Sequence, residues 1–276
     1  MVAAGIVTYN PQPEIFEKCL YSIKKQVDKV YIYDNGSDNS EILNKYLNQD
    51  GNVKVWFNSK NVGIAKALNE LCTLAKDDGY KWIVTMDQDS ICENQMISLL
   101  MNYSSDKKNG IIAPRVEFRV NEKLIHETKN KENEVERIDA CITSGSLTNL
   151  DAWENIGGFD EWMFIDHVDN EFCAHLRVEG YYILRVNSAV LFQRAGEMKY
   201  VTFFGKKILL PYYSEFRNYY ICRNTVYFIK KYRKKLPMKK ELLSFVYSQC
   251  IKFLLEKNRF QTIKSSVKGI RDGLRT

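Results

Sequence analysis

Two carboxylates stand one residue apart in Asp87-Gln88-Asp89, directly after the apolar run Lys81 to Met86. Oxygen donors at that spacing suit a hard divalent cation, Mg2+ or Mn2+. A metal held there typically bridges a diphosphate and neutralises charge as it leaves. Alone, Asp-x-Asp is a weak signal. Three further polar clusters end apolar runs in the same half of the chain. Thr8-Tyr9-Asn10 ends the first, Asp34 the second, and Asn58 and Asn61 follow the third. If the four runs are parallel strands, their polar ends share one edge. Open α/β sheets bind ligands there, beyond the carboxyl ends of the strands. Each cluster taken separately also has a structural explanation, because Asp, Asn and Ser end strands and cap helices.

The elements that position these groups follow from periodicity. Strands are expected at Ala3 to Thr8, Val30 to Tyr33, Val53 to Phe57, Lys81 to Met86 and Gly110 to Ala113. Between them, Pro11 to Gln26, Gly63 to Lys76 and Glu93 to Tyr103 carry apolar residues at helical spacing. This alternation argues for a parallel α/β sheet. Residues 115–140 are polar, and short antiparallel strands are expected in that excursion. Helices follow at Asp151 to Ile156 and Asn170 to Glu179, and Tyr181 to Phe192 is strand-rich. Beyond Tyr200, Tyr, Phe, Lys and Arg dominate and the periodicity is helical. The expected organisation is one domain over 1–200, whose strand–helix alternation holds over 1–113 and loosens over 114–200, and a basic, aromatic-rich helical region over 201–276.

Composition excludes several classes. At 276 residues, 45% hydrophobic and 27% charged, the chain is globular, not disordered or fibrous. Seven cysteines without CxxC spacing predict reduced thiols, with no disulfide framework or zinc site. No leader and no membrane-spanning run is expected, which points to a cytoplasmic protein. The net charge of +6 conceals a division. Val201 to Thr276 carries 18 Lys and Arg against 4 Asp and Glu, while the first 200 residues carry 22 against 30.

Several ordered motifs resemble glycosyltransferase family 2, which has the GT-A fold. They are Val7-Thr8-Tyr9-Asn10, Asp34-Asn35-Gly36-Ser37, Asn61-Val62-Gly63-Ile64-Ala65 and Asp87-Gln88-Asp89-Ser90. The last is similar to the rhamnosyltransferase branch. So are Thr143-Ser144-Gly145, Gly157-Gly158-Phe159-Asp160-Glu161, Phe164-Ile165-Asp166-His167-Val168-Asp169, Arg217-Asn218-Tyr219-Tyr220 and Arg223-Asn224. The resemblance implies an inverting, metal-dependent enzyme with a Rossmann-like, mostly parallel sheet and a dTDP- or UDP-linked donor, in which 1–200 is the catalytic domain, with 1–113 its nucleotide-sugar half and 114–200 its acceptor half. dTDP-L-rhamnose is the expected donor, and a glycan or lipid-linked molecule of a surface polysaccharide the acceptor.

Roles follow by resemblance. Thr8, Tyr9 and Asn10 would line the base and ribose, and Asp34 would accept a pyrimidine imide N–H; Asp34 also suits an Asx turn before Gly36. Asn61 and Gly63 precede a helix N-terminus that favours phosphate. Lys66 either reaches a phosphate or faces solvent. Asp89 ranks first and Asp87 second as metal ligands, with Gln88 on the ribose or holding the loop. Single displacement needs one general base; Asp169 is expected in that role, with Asp166 the runner-up. Ser144, Gly145, Trp162 and His167 are expected on the acceptor side, and Arg217 and Arg223 as phosphate grips. The family often places a metal-binding histidine where Gln193 stands here, so weaker preference for softer metals is expected.

The basic region has two readings of equal weight: helices packed with a solvated face, or a basic amphipathic surface on an anionic membrane leaflet. Nucleic acid is not expected, for want of a recognition motif. The rival readings of the whole chain are a non-catalytic nucleotide-sugar-binding protein and a basic peripheral membrane scaffold.

Overall fold

The computed structural model describes residues 1–276 except 48–50, 121–122, 127–132, 195, 197, 204–205, 212 and 256–258. Parts of the expected 115–140 excursion and of the basic region therefore lie outside the described residues. The chain forms two compact units. The first holds Met1–Trp162 and Asp169–Arg194, the second Met163–Val168 and Ala195–Thr276.

The first unit opens β1 (Ala3–Thr8), α1 (Pro13–Lys24), β2 (Lys29–Asp34), a 3-10 turn (Ser40–Tyr46), β3 (Val53–Phe57), α2 (Ile64–Asp77) and β4 (Trp82–Asp87). β5 (Ile91–Cys92), α3 (Met96–Met101), β6 (Asn109–Val120), β7 (Lys123–His126) and β8 (Val135–Arg137) follow. It ends with β9 (Leu147–Asn149), α4 (Leu150–Asn155), α5 (Val168–Val178) and β10 (Tyr182–Arg194). The sheet order is β3-β2-β1-β4-β9-β6-β10-β5, with β7 beside β6 and β8 beside β10.

Helix boundaries follow local chemistry. α1 starts with proline, whose missing N–H costs nothing there, and buries Phe16, Cys19, Leu20 and Ile23. α2 buries Ala65, Ala67, Leu68, Leu71, Cys72 and Ala75 on one face. The strands between contribute Ile6, Ile32 and Val84 to the core.

Register positions the polar edge. β3, β2, β1 and β4 run parallel. Thr8 pairs with Asp34, Val7 with Asp87 and Asp34 with Phe57, so these strands end level. β9 then runs antiparallel to both β4 and β6, which brings residues 143–146 alongside Thr85 to Asp87.

The second unit contains β11 (Met198–Phe203), β12 (Lys206–Pro211), α6 (Glu215–Tyr232), α7 (Lys239–Leu255) and α8 (Arg259–Arg275). The antiparallel β11–β12 pair differs from the helical reading beyond Tyr200. β-branched and aromatic residues (Val201, Thr202, Phe203, Ile208) favour strand there. Helix begins only at Glu215, where the Ser214 hydroxyl accepts the Arg217 N–H at 3.2 Å. All seven cysteines are free thiols. No helix among the described residues is long and apolar enough to cross a membrane.

Candidate active site

The edge formed by β1 to β4 is built on Asp34. This carboxylate is 1% exposed. It accepts the Thr8 hydroxyl at 3.0 Å, the Ser37 backbone N–H at 3.0 Å and the Ser37 hydroxyl. Thr8 is fully buried, and its side chain supports Asp34. The Asp34 carboxylate thus also shapes the turn that follows it, through the backbone N–H three residues on. Gly36, at φ +80°, carries the chain past the next loop: a Cβ here would lie 2.4 Å from the Lys60 carbonyl carbon.

Tyr9 and Asn10 form the rim. The Gln88 amide brackets Tyr9, accepting its N–H at 2.8 Å and donating to its carbonyl at 3.1 Å. Of the two expected roles for Gln88, holding the loop is the visible one. The Tyr9 ring is left exposed. Asn10 has left-handed backbone at φ 47°, and its side-chain oxygen accepts the Asp38 N–H at 2.8 Å.

Asn61 accepts the Gly63 N–H at 2.9 Å and the Asn35 amide at 3.1 Å. Gly63, at φ 89°, caps α2 without a side-chain hydrogen bond, so the helix N-terminus stays uncapped by side chains. Lys66 pairs with Glu161 at 3.5 Å, between two half-exposed side chains, a contact of small worth.

The end of β4 rests on the segment before β9. The Asp87 backbone N–H donates to the Ser144 hydroxyl at 3.0 Å, and Ser144 meets Ser90 at 2.7 Å. Ser144 is buried, and a Cβ on Gly145 would lie 2.9 Å from Leu191. The antiparallel β9 places both of these expected acceptor-side residues next to the Asp87–Ser90 turn. Gln193 stands beside Asp87, donating its amide N–H to the carboxylate at 3.0 Å while Ser90 donates to its oxygen.

Asp87 and Asp89 are both half-buried. Burial raises the Asp89 carboxyl above the ordinary aspartate range, against the lowering influence of Arg194. A cation would relieve that desolvation. No cluster of three or more His, Cys, Asp or Glu able to hold a metal occurs among the described residues. Two carboxylates alone fit Mg2+ or Mn2+, which keep waters and take substrate phosphates as further ligands.

Asp169 lies in the first turn of α5, where its carboxylate accepts the Asn170 N–H at 2.9 Å. Trp162 is half-buried, and its backbone N–H donates to the Asp160 carboxylate at 3.1 Å.

Within the second unit, Asp166 and His167 are consecutive left-handed residues at φ 64° and 63°. One face of α6 holds this turn. Arg217 grips the Asp166 carboxylate with Nε at 3.1 Å and Nη2 at 2.9 Å. Asn224 donates to the Ile165 and Asp166 carbonyls, both at 2.8 Å. Tyr220 stacks on Phe164 at 5.3 Å. The Thr225 hydroxyl donates to the Ile221 carbonyl, so it accepts from His167 Nε2 at 2.7 Å. Burial lowers the His167 pKa, with Asp166 opposing. Arg217 and His167, the expected phosphate and acceptor residues, are both engaged in this turn. Arg223 lies off that face, 4.6 Å from the Tyr220 ring and 2.9 Å from the Asn224 side-chain oxygen. The roles of Thr225 and Ser90 had no signal in the sequence, because each depends on a partner more than 50 residues away.

The model for Glycosyl transferase family 2 matches residues 4–168. The chain is 26% identical to the dTDP-rhamnosyl transferase RfbF of Shigella flexneri over 294 residues, covering 99% of this chain and 95% of that protein. Two solved structures share the fold at a TM-score of 0.66 each. One is GalNAc-T7 with UDP, GalNAc and Mn2+, at 13% identity, where the match covers all of this chain and 56% of that one. The other is Staphylococcus aureus TarS 1–349 in complex with UDP-GlcNAc, at 16% identity, covering 99% and 80%. The level strand ends, the paired carboxylates after β4 and a family match over more than half its length make this chain a GT-A glycosyltransferase that belongs to glycosyl transferase family 2.

Proposed function

We propose that this enzyme transfers L-rhamnose from dTDP-L-rhamnose, with inversion, to a hydroxyl of a glycan or lipid-linked acceptor in surface polysaccharide synthesis. The observation that carries the donor is the similarity to a dTDP-rhamnosyl transferase across nearly the full length of both chains. In this reading Tyr9 packs against the base and Asp34 accepts the thymine imide N–H. The α2 N-terminus faces the diphosphate. Mg2+ or Mn2+, held by Asp89 and Asp87, would supply charge neutralisation for the departing diphosphate.

Asp169 acts as general base. It takes the acceptor proton as the acceptor oxygen bonds to the anomeric carbon and the bond to dTDP breaks. One displacement inverts the centre without a second, nucleophilic carboxylate. The two-pronged Arg217 contact favours Asp169 over Asp166, because the guanidinium already occupies the Asp166 carboxylate oxygens.

The test is a panel of nucleotide sugars with Mg2+, read by melting temperature and by product formation. dTDP-L-rhamnose is expected to give the largest shift and a transfer product. A larger shift with a UDP-hexose would overturn the donor assignment. Asp169→Asn is expected to abolish transfer with donor binding nearly unchanged; normal turnover in that variant would overturn the base.

A further inference from the structure

We propose that the outer faces of α7 and α8 form a docking surface for an anionic lipid bilayer. The proposal deepens the reading above by naming the surface at which the acceptor lies, but it stands on different residues.

α7 exposes Leu242, Leu243, Val246, Tyr247, Phe253 and Leu254. Their three- and four-residue spacing keeps them on one stripe. No charged residue interrupts the helix between Glu241 and Lys252. Leu243 is 70% exposed and Tyr247 68%.

α8 is two-sided. Its inner face touches α6 through Gly269 and Gly273. Its outer face exposes Phe260, Ile263, Val267 and Leu274, with Phe260 90% exposed. At about 100° per residue, these four fall in one arc, and the exposed Lys264, Lys268, Arg271 and Arg275 fall in the arc beside it. An apolar stripe bordered by cations is the arrangement of a helix lying in a membrane interface. Large exposed apolar faces mark interaction sites.

Charge selects the occupant. Residues 201–276 carry 18 basic against 4 acidic groups, so a second copy would meet its own cations across this face. An anionic leaflet complements them. Nucleic acid would use the cations but leave the apolar stripes without a role.

The test is co-sedimentation of the full chain with vesicles of phosphatidylcholine alone and of phosphatidylcholine mixed with phosphatidylglycerol. Binding is expected only to the mixed vesicles, weakening as salt rises. Removing a cation near the surface costs about fivefold. Lys264→Gln with Arg275→Gln is therefore expected to weaken binding at least about tenfold. Phe260→Ser with Val267→Ser is expected to weaken it as well. Both double variants alter exposed positions, and an unchanged donor-induced melting shift would show an intact catalytic unit. Equal binding to both vesicle types, or to neither, would overturn the proposal. So would a monomer–dimer equilibrium abolished by the same variants, or salt-dependent oligonucleotide binding without vesicle binding. Donor binding with no vesicle binding would defeat this inference alone.

Discussion

Burial raises the Asp89 carboxyl above the ordinary aspartate range, so the fold opposes its ionisation. An acid whose folded pKa is raised binds its proton more tightly in the native state. Its ionisation therefore lowers stability as pH climbs from the ordinary to the raised value. Asp89→Asn is expected to raise the melting temperature of the metal-free protein at pH 7 while removing metal-dependent donor binding. Calorimetry with and without Mg2+ and donor checks both. By the same sign, protons compete with the cation at a higher pH than at an ordinary aspartate. Asp87, Asp89 and Asp34 were legible because each ends an apolar run. The burial of Thr8 and Ser144 was not legible, because a hydroxyl in sequence does not reveal which way it faces.

At the scale of elements, two contacts invite substitution. Gly36→Ala would drive a Cβ into the backbone of Lys60 at a positive φ. The strain of such backbone, about 1–3 kcal/mol, is the least expected loss, read by urea unfolding with a matching fall in donor affinity. Arg217→Lys keeps the charge but loses the two-pronged grip on Asp166. The chain runs from that turn straight into α5 and Asp169. Turnover is expected to fall about ten- to a hundredfold through misplacement, with the donor-induced melting shift unchanged. The first four strands were legible from their apolar runs and closing turn residues. β9 was not, because Leu147-Thr148-Asn149 is three residues long and carries no apolar run. β11 and β12 hid in a segment whose cations and aromatics also suit a helix.

Over the whole molecule, donor and cation should bind as a linked pair. With Mg2+, donor at a hundred times its dissociation constant stabilises by about 2.7 kcal/mol. EDTA is expected to erase most of that gain in a melting scan, and the full gain persisting in EDTA would argue against a cation at Asp87 and Asp89. The uneven charge was visible in the sequence from the outset, but the surface that carries it required knowing which side of α8 is inward. Gly269 and Gly273 decide that: a Cβ on either would stand 2.4 Å from a carbonyl oxygen of α6, at Tyr219 and Arg223. One helix is thereby subject to two different rules of replacement. Along its inner edge even a methyl group must wedge two backbones apart, whereas a quarter-turn or more away residues can be exchanged freely for any that suit whatever lies outside. Random mutagenesis of α8 should therefore return survivors with a periodic gap, closed at 269 and 273 and open at 260, 264, 267 and 271.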